Sequence, residues 1–253
     1  MARKVSLAPD VAFEIVTPAD HATLKDHVAA TLSRQLPELQ PLPARGGVIH
    51  LYANGPSALD APINSPSMAL NGALGVFKAR GQEPDFWAAC DPQALVSGFV
   101  NDAPKSTRYM VASKCHADVF NALSDRNVSV WHMDDEGAKA LPTGKPLVPC
   151  AVSITLTALG LLYMLGWRHV EVYGWDGCYI DGKDHAISQG HQASDIAVTV
   201  GGKRYKSTRS WACEANDAVV YLQWFPDLTV NVHGPGMIGA ILRHLKVPNL
   251  EDR

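Results

Sequence analysis

The amino-acid sequence predicts an α/β protein built on a doubly wound, mostly parallel sheet with helices on both faces. Three observations predict it. Short apolar runs end in turns rich in Gly, Pro, Asn or Asp, as buried parallel strands do: Val48–Ala53 before Asn54-Gly55-Pro56-Ser57, Phe86–Cys90 before Asp91-Pro92, and His169–Tyr173 before Gly174-Trp175-Asp176. Helical stretches alternate with these strands, the pattern that covers both faces of a parallel sheet. With 253 residues, 47% apolar and only 19% charged, the chain has ample material for a core and is not a disordered one.

The elements follow in order. Residues 1–46 read as a lead-in: a short strand over Val11–Val16, a helix from the Thr17-Pro18-Ala19-Asp20 start to about Leu36, and a linker marked by Pro37, Pro41, Pro43 and Gly46-Gly47. Residues 47–253 form the main, catalytic domain. After the first strand, Ser67–Leu74 is a second strand or a turn carrying Asn71, and Gly75–Arg80 is a helix. Strands are predicted over Phe86–Cys90, Arg108–Ala112 and Val128–Trp131, with a helix over His116–Leu123. The clearest unit is a helix over Ala151–Leu165, ended by Gly166 in the left-handed conformation, then the strand His169–Tyr173. Gly201-Gly202 marks a hairpin turn. A helix over Ser210–Trp224, a strand over Leu228–Val232 and a short helix over Gly239–Leu245 complete the chain.

Several classes of function are disfavoured by composition. With 22 Lys+Arg against 25 Asp+Glu, the formal charge is 22 − 25 = −3, which argues against a general duplex-DNA binder, and basic and aromatic residues are not interleaved as in nucleic-acid sites. The five cysteines (Cys90, Cys115, Cys150, Cys178, Cys213) form no CxxC and read as core fillers in a reducing, cytoplasmic compartment. No signal peptide is visible. The uncharged stretch Val148–Gly166 is long enough to span a bilayer, but Pro149, Ser153, Thr155 and Thr157 interrupt it, and it reads as a helix buried on all sides.

Ligands of open parallel sheets bind beyond the carboxyl ends of the strands, so the turns that follow each strand are the candidate site. In Asn54-Gly55-Pro56-Ser57, Gly55 permits close backbone approach, Pro56 stiffens the turn and Ser57 can cap a following helix. The sequence is neither GxGxxG nor a P-loop. Asp91 and Asp176 each follow a strand and are candidate Mg²⁺ ligands, or turn carboxylates bonding their own backbone. His185, beside Asp184 in a Gly- and Asp-rich loop, is a candidate base, and His191 a further one. Ser153 opens the buried helix and could meet an anion or simply cap it. Thr208-Arg209 closes a basic stretch suited to phosphate or to solvent.

Taken together, Asn54-Gly55-Pro56-Ser57, Asn71, Pro84-Asp85 leading to Asp91, the Ser153 helix, Gly174-Trp175-Asp176, Asp184-His185 and Tyr205-Lys206-Ser207-Thr208 resemble the MptE-like 6-hydroxymethylpterin diphosphokinase family over roughly residues 47–224. The Asn54-Gly55-Pro56-Ser57 loop with Asn71 is also similar to the G-N-G-P-S loop of bacterial sialyltransferases that use CMP-activated sugars, whose core flagellin-modifying transferases share. The resemblance implies a Rossmann-like transferase whose donor carries a nucleotide, with Asn54, Gly55, Pro56, Ser57, Asn71, Ser153 and Thr208 on the nucleotide. The diphosphokinase form implies ATP as donor, Mg²⁺ on Asp91 or Asp176, and pyrophosphate transfer to a hydroxymethyl group of a pterin-like acceptor. The sugar-transfer form implies a CMP-sugar, His185 or His191 as base and no metal. A nucleotide-binding module without catalysis is the third reading. The expected partners are a small-molecule nucleotide and an acceptor, with self-association left open and no nucleic acid or membrane span.

Overall fold

The structure, a computed structural model, describes residues 5–8, 11–13, 19–188 and 195–247. Its centre is a seven-stranded sheet. In chain order the strands are β1 (Ile49–Tyr52), β2 (Ser67–Leu70), β3 (Phe86–Ala89), β4 (Arg108–Ala112), β5 (Asn127–Trp131) and β6 (His169–Tyr173), then β9 (Thr229–Val232) after a separate antiparallel hairpin, β7 (Asp195–Val200) and β8 (Lys203–Thr208). The spatial order is β9-β6-β1-β2-β3-β4-β5, and every pairing in it is parallel. The doubly wound α/β fold predicted from the alternation of strands and helices is therefore present. Parallel strands in the middle of such a sheet are buried on both faces, which explains the apolar runs: Ile49, Leu51, Met68, Ala69, Trp87, Ala88, Val170 and Val172 are all fully buried.

One topological detail positions the site. The chain leaves β1 toward β2 on one side and returns much later to β6 on the other. Their carboxyl ends thus open on a crevice that no crossover covers, the switch point where such folds hold ligands.

The helices are α1 (His21–Leu32), α2 (Leu74–Ala79), α3 (Ala117–Ala122), α4 (Ile154–Met164), α5 (Arg209–Tyr221) and α6 (Met237–His244). The predicted helix over 17–36 is shorter at both ends. Asp20 takes the cap, its Oδ1 accepting from the Thr23 amide at 2.7 Å, and residues 14–18 lie outside the described residues. The Pro-rich segment that follows is bound along the sheet: the amides of Leu39 and Val130 bond the carbonyls of Val130 and Pro37, and the Arg45 guanidinium lies 3.9 Å from the centre of the Trp167 ring. α4 is apolar all round because it is enclosed, with Leu156, Leu159, Leu161 and Leu162 fully buried. No described helix is long and apolar enough to cross a membrane. The hairpin turn at Gly201-Gly202 has both glycines at positive φ, 54° and 82°, as a tight two-residue hairpin demands.

Candidate functional site at the switch point

The turns after β1 and β6 are locked to each other. The Gly55 amide donates to the Gly174 carbonyl at 2.8 Å. The Ser57 amide and hydroxyl donate to the two oxygens of Asp176, at 2.8 and 2.7 Å. Asp176 is only 2% exposed. Burial raises its carboxyl above the ordinary value, and the Ser57 hydrogen bonds offset part of that rise. Its role in this arrangement is to clamp two strand ends together, since both of its oxygens already have partners.

Beside this clamp lies a cavity of about 160 Å³ bordered by Asn54, Gly55, Asn71, Ser153, Asp176 and His185, together with Glu214 and Trp211. Residues up to 160 positions apart in the chain thus meet, and those that follow strands do so as the strand-end argument predicts. Their individual duties differ from the simplest expectation. Asn54 spends its side chain on the loop that carries His185: its Oδ1 accepts from the Ile187 amide at 3.1 Å and its Nδ2 donates to the Ile187 carbonyl at 2.9 Å. It positions that loop. Asn71 is the reverse case. It sits at φ 45°, in the left-handed region that is costly for most side chains, and its buried Oδ1 has no hydrogen-bond partner. An acceptor held unpaired at a cavity wall is a place for a ligand N–H or O–H.

His185 is 18% exposed, with Nδ1 3.3 Å from the Asp184 carboxylate and its ring edge-on to Trp211 at 6.0 Å. Ser153 caps α4, accepting from the Leu156 amide at 3.3 Å, as the capping expectation has it, and its hydroxyl donates to Glu214. The first turn of α4 borders the cavity through Ser153, Ile154 and Thr155, and the positive end of a helix there suits an anionic group.

Four of the predicted site residues fall elsewhere. Pro56 and Ser57 line the opposite side of the clamp, on a second cavity. Thr208 is not part of the lining: it caps α5, accepting from the Trp211 amide at 3.2 Å, and so supports Trp211. Asp91 closes its own turn by accepting from the Gln93 amide at 2.9 Å. It follows β3, three strands from β6, which is about 14 Å at the usual strand spacing of about 4.8 Å. Asp91 and Asp176 therefore cannot share one Mg²⁺, which takes oxygen ligands at about 2.1 Å. Among the described residues no group of three or more His, Cys, Asp or Glu side chains is placed to hold a metal ion. His191 lies outside the described residues.

Glu214 on α5 is the residue that sequence reasoning missed. It lies on a predicted helix with no motif around it, and only the fold brings it to the cavity. Its Oε1 accepts from Ser153 Oγ and from Trp175 Nε1, the latter at 2.7 Å. Burial pushes its carboxyl up, the two hydrogen bonds pull it part of the way back, and Asp217 adds to the rise. A carboxyl whose folded value is raised stabilises the protein fully below its unfolded value, and that stability is lost as pH rises through the folded value. Glu214→Gln keeps the acceptor oxygen but cannot ionise. The difference in Tm, variant minus parent, is thus expected to grow more positive from about pH 4 to about pH 7. Thermal melts across that range check this, and a pH-independent difference contradicts it.

Comparison with known proteins agrees with this architecture. No protein-family model and no curated protein matches the chain. Among solved structures, the fold is similar to that of the MAf glycosyltransferase from Magnetospirillum magneticum AMB-1, with a TM-score of 0.63 at 13% sequence identity over 87% of this chain. The chain spans 37% of the length of that structure. At this identity the likeness is one of fold. It defines a Rossmann-like α/β core of the kind found in a glycosyltransferase.

Proposed function

We propose that this chain is a transferase that moves a sugar from a nucleotide-activated donor, with the nucleotide in the switch-point cavity and His185 as the base. One observation carries this function: six residues singled out in the sequence for nucleotide binding or catalysis, Asn54, Gly55, Asn71, Ser153, Asp176 and His185, border the same small cavity. The fold shared with a glycosyltransferase favours sugar transfer over pyrophosphate transfer. The separation of Asp91 from Asp176 also weighs against the metal-held ATP that pyrophosphate transfer would use.

The chemistry follows from the residues. The donor phosphate meets the amides at the start of α4, which stabilise the negative charge that grows as the sugar departs. The unpaired Asn71 Oδ1 suits an exocyclic amine, such as that of cytosine, and so favours a CMP-linked donor. The Asp184 carboxylate lies 3.3 Å from Nδ1 without accepting a hydrogen bond from it, and its charge favours the His185 tautomer with the proton there, leaving Nε2 to accept. The acceptor oxygen then bonds to the anomeric carbon, the bond from that carbon to the phosphate oxygen breaks, and the acceptor proton passes to His185. CMP is the leaving group.

The test is thermal stabilisation by CMP, CMP-sugar and ATP, each with and without Mg²⁺. CMP at a hundredfold excess over its Kd should add about 2.7 kcal/mol, or about 5–10 °C in Tm for a chain of this size, irrespective of Mg²⁺. Stabilisation by ATP with Mg²⁺ and none by CMP would overturn this function in favour of the diphosphokinase.

A further inference from the structure

The second cavity, about 500 Å³, lies on the far side of the Ser57–Asp176 clamp and within the size range of small-molecule sites, about 300–1,000 Å³. Two of its lining residues, Tyr173 and His233, belong to an unusual polar network. Strand alternation puts His169, Glu171 and Tyr173 on one face of β6, and the register sets His50 and Tyr52 of β1 and Asn231 of β9 beside them. The opposite face of the same three strands is the ordinary apolar one, with Val170, Val172, Ile49, Leu51 and Val230 buried. Interior strands of a parallel sheet are normally apolar on both faces, so a polar row confined to one face is a departure of the sort that functional sites show.

That row is organised around His233. Glu171, 7% exposed, accepts from Asn231 at 2.8 Å, contacts His169 Nε2 at 3.1 Å and is bonded to His233 Nε2. Burial raises the Glu171 carboxyl, but the hydrogen bonds from Asn231 and His233 and the nearby imidazoles outweigh it, leaving the value lowered. An ionised carboxylate only accepts, so His233 donates from Nε2 and keeps Nδ1 as its remaining polar atom. The imidazole also lies flat on Tyr173, ring centres 4.5 Å apart at 9°, and Tyr173 in turn stacks on Tyr52 at 5.1 Å and 15°. His233 is thus fixed by a charge at one nitrogen and by a ring stack beneath it, while remaining 36% exposed. Tyr173 and His233 line the cavity with Pro56 and Leu59, and Asp60 and Asp181 stand at its exposed rim.

We infer that this second cavity is a binding site for a neutral, polyhydroxylated ring, a pyranoside-like ligand. The flat His233 and proline surfaces suit the C–H face of such a ring. The two carboxylates require a ligand that brings donors, as hydroxyls do, and beside Lys183, the one Lys or Arg among the described lining residues, they disfavour an anion. The site stands on its own geometry. If the proposed sugar transfer also holds, the site supplies the acceptor side, because the loop of residues 180–185 borders both cavities.

The experiment uses saturation-transfer NMR on the full chain with methyl α- and β-pyranosides of glucose, galactose, mannose and N-acetylglucosamine, beside CMP thermal shift. Transfer to ring C–H protons of at least one pyranoside is expected. Binding should weaken at least tenfold in His233→Leu, and several-fold in Asp60→Asn, whose exposed position keeps the fold intact, while the CMP shift is unchanged in both. No transfer from any pyranoside, or transfer unaffected by both variants, overturns the site. Pyranoside binding that follows the two variants without any CMP shift upholds the site and overturns the nucleotide function instead.

Discussion

Gly55→Ala should destabilise the protein by about 3 kcal/mol and lower Tm by about 6–12 °C, while abolishing stabilisation by CMP. The cause is contact and not backbone conformation. Gly55 has φ −71° and ψ 156°, angles that alanine adopts freely. A methyl group there would lie 2.3 Å from the Gly174 carbonyl oxygen and 2.5 Å from Asp176 Oδ2. The first of these is main chain and cannot rotate away, so the turns after β1 and β6 must separate. Separation breaks the Gly55–Gly174 hydrogen bond and both Ser57–Asp176 bonds, leaving a buried carboxylate without partners. Gly98→Ala is the control: nothing lies within 4 Å of a methyl there, and its effect should stay within about 0.5 kcal/mol. A Gly55→Ala protein that melts with the parent and still responds to CMP would show that the clamp does not hold the site together.

His185→Ala should reduce turnover by about 10²–10⁴-fold, the usual contribution of a positioned general base, with Tm changed by little. The imidazole is partly exposed and makes an edge contact with Trp211, so its removal deletes little packing. The KM for a nucleotide donor should stay within a few-fold, because the phosphate and base contacts assigned above lie on α4 and Asn71. Steady-state rates with CMP-sugar and a hydroxyl acceptor measure both quantities. If kcat is unchanged, proton removal lies with another group.

The sequence makes the rim of this site readable because each strand ends in residues that cannot continue a strand: Asn54-Gly55-Pro56, Asp91-Pro92, Gly174. The element order follows from the same punctuation, and strands such as Arg108–Ala112 and His169–Tyr173 fall where the pattern puts them. What the residues do at the rim is less readable. Asn54 meets Ile187 across 133 residues, and Ser57 meets Asp176 across 119, so their polar groups bind each other where a local reading offers them to a ligand. Glu214 carries no local signal at all, since an acid on a helix is ordinarily solvated. Asp91 is the opposite case: its turn reading is local, and the local bond to Gln93 is the one it makes. The strand order is not encoded locally, which is why two rim carboxylates that look equivalent in the chain stand three strands apart.

The Asn54 amide has a consequence for how such a catalyst could be regulated or lost. By pairing with Ile187 through both its N–H and its C=O, it imitates one residue of a neighbouring strand and fastens the His185 segment to the tip of β1. The Ala186 amide adds a backbone bond to the Asn54 carbonyl at 2.8 Å, so aspartate at this position, formed by deamidation or by one base change, would lose the donor half of the side-chain pairing and loosen the segment that carries the proposed base without freeing it.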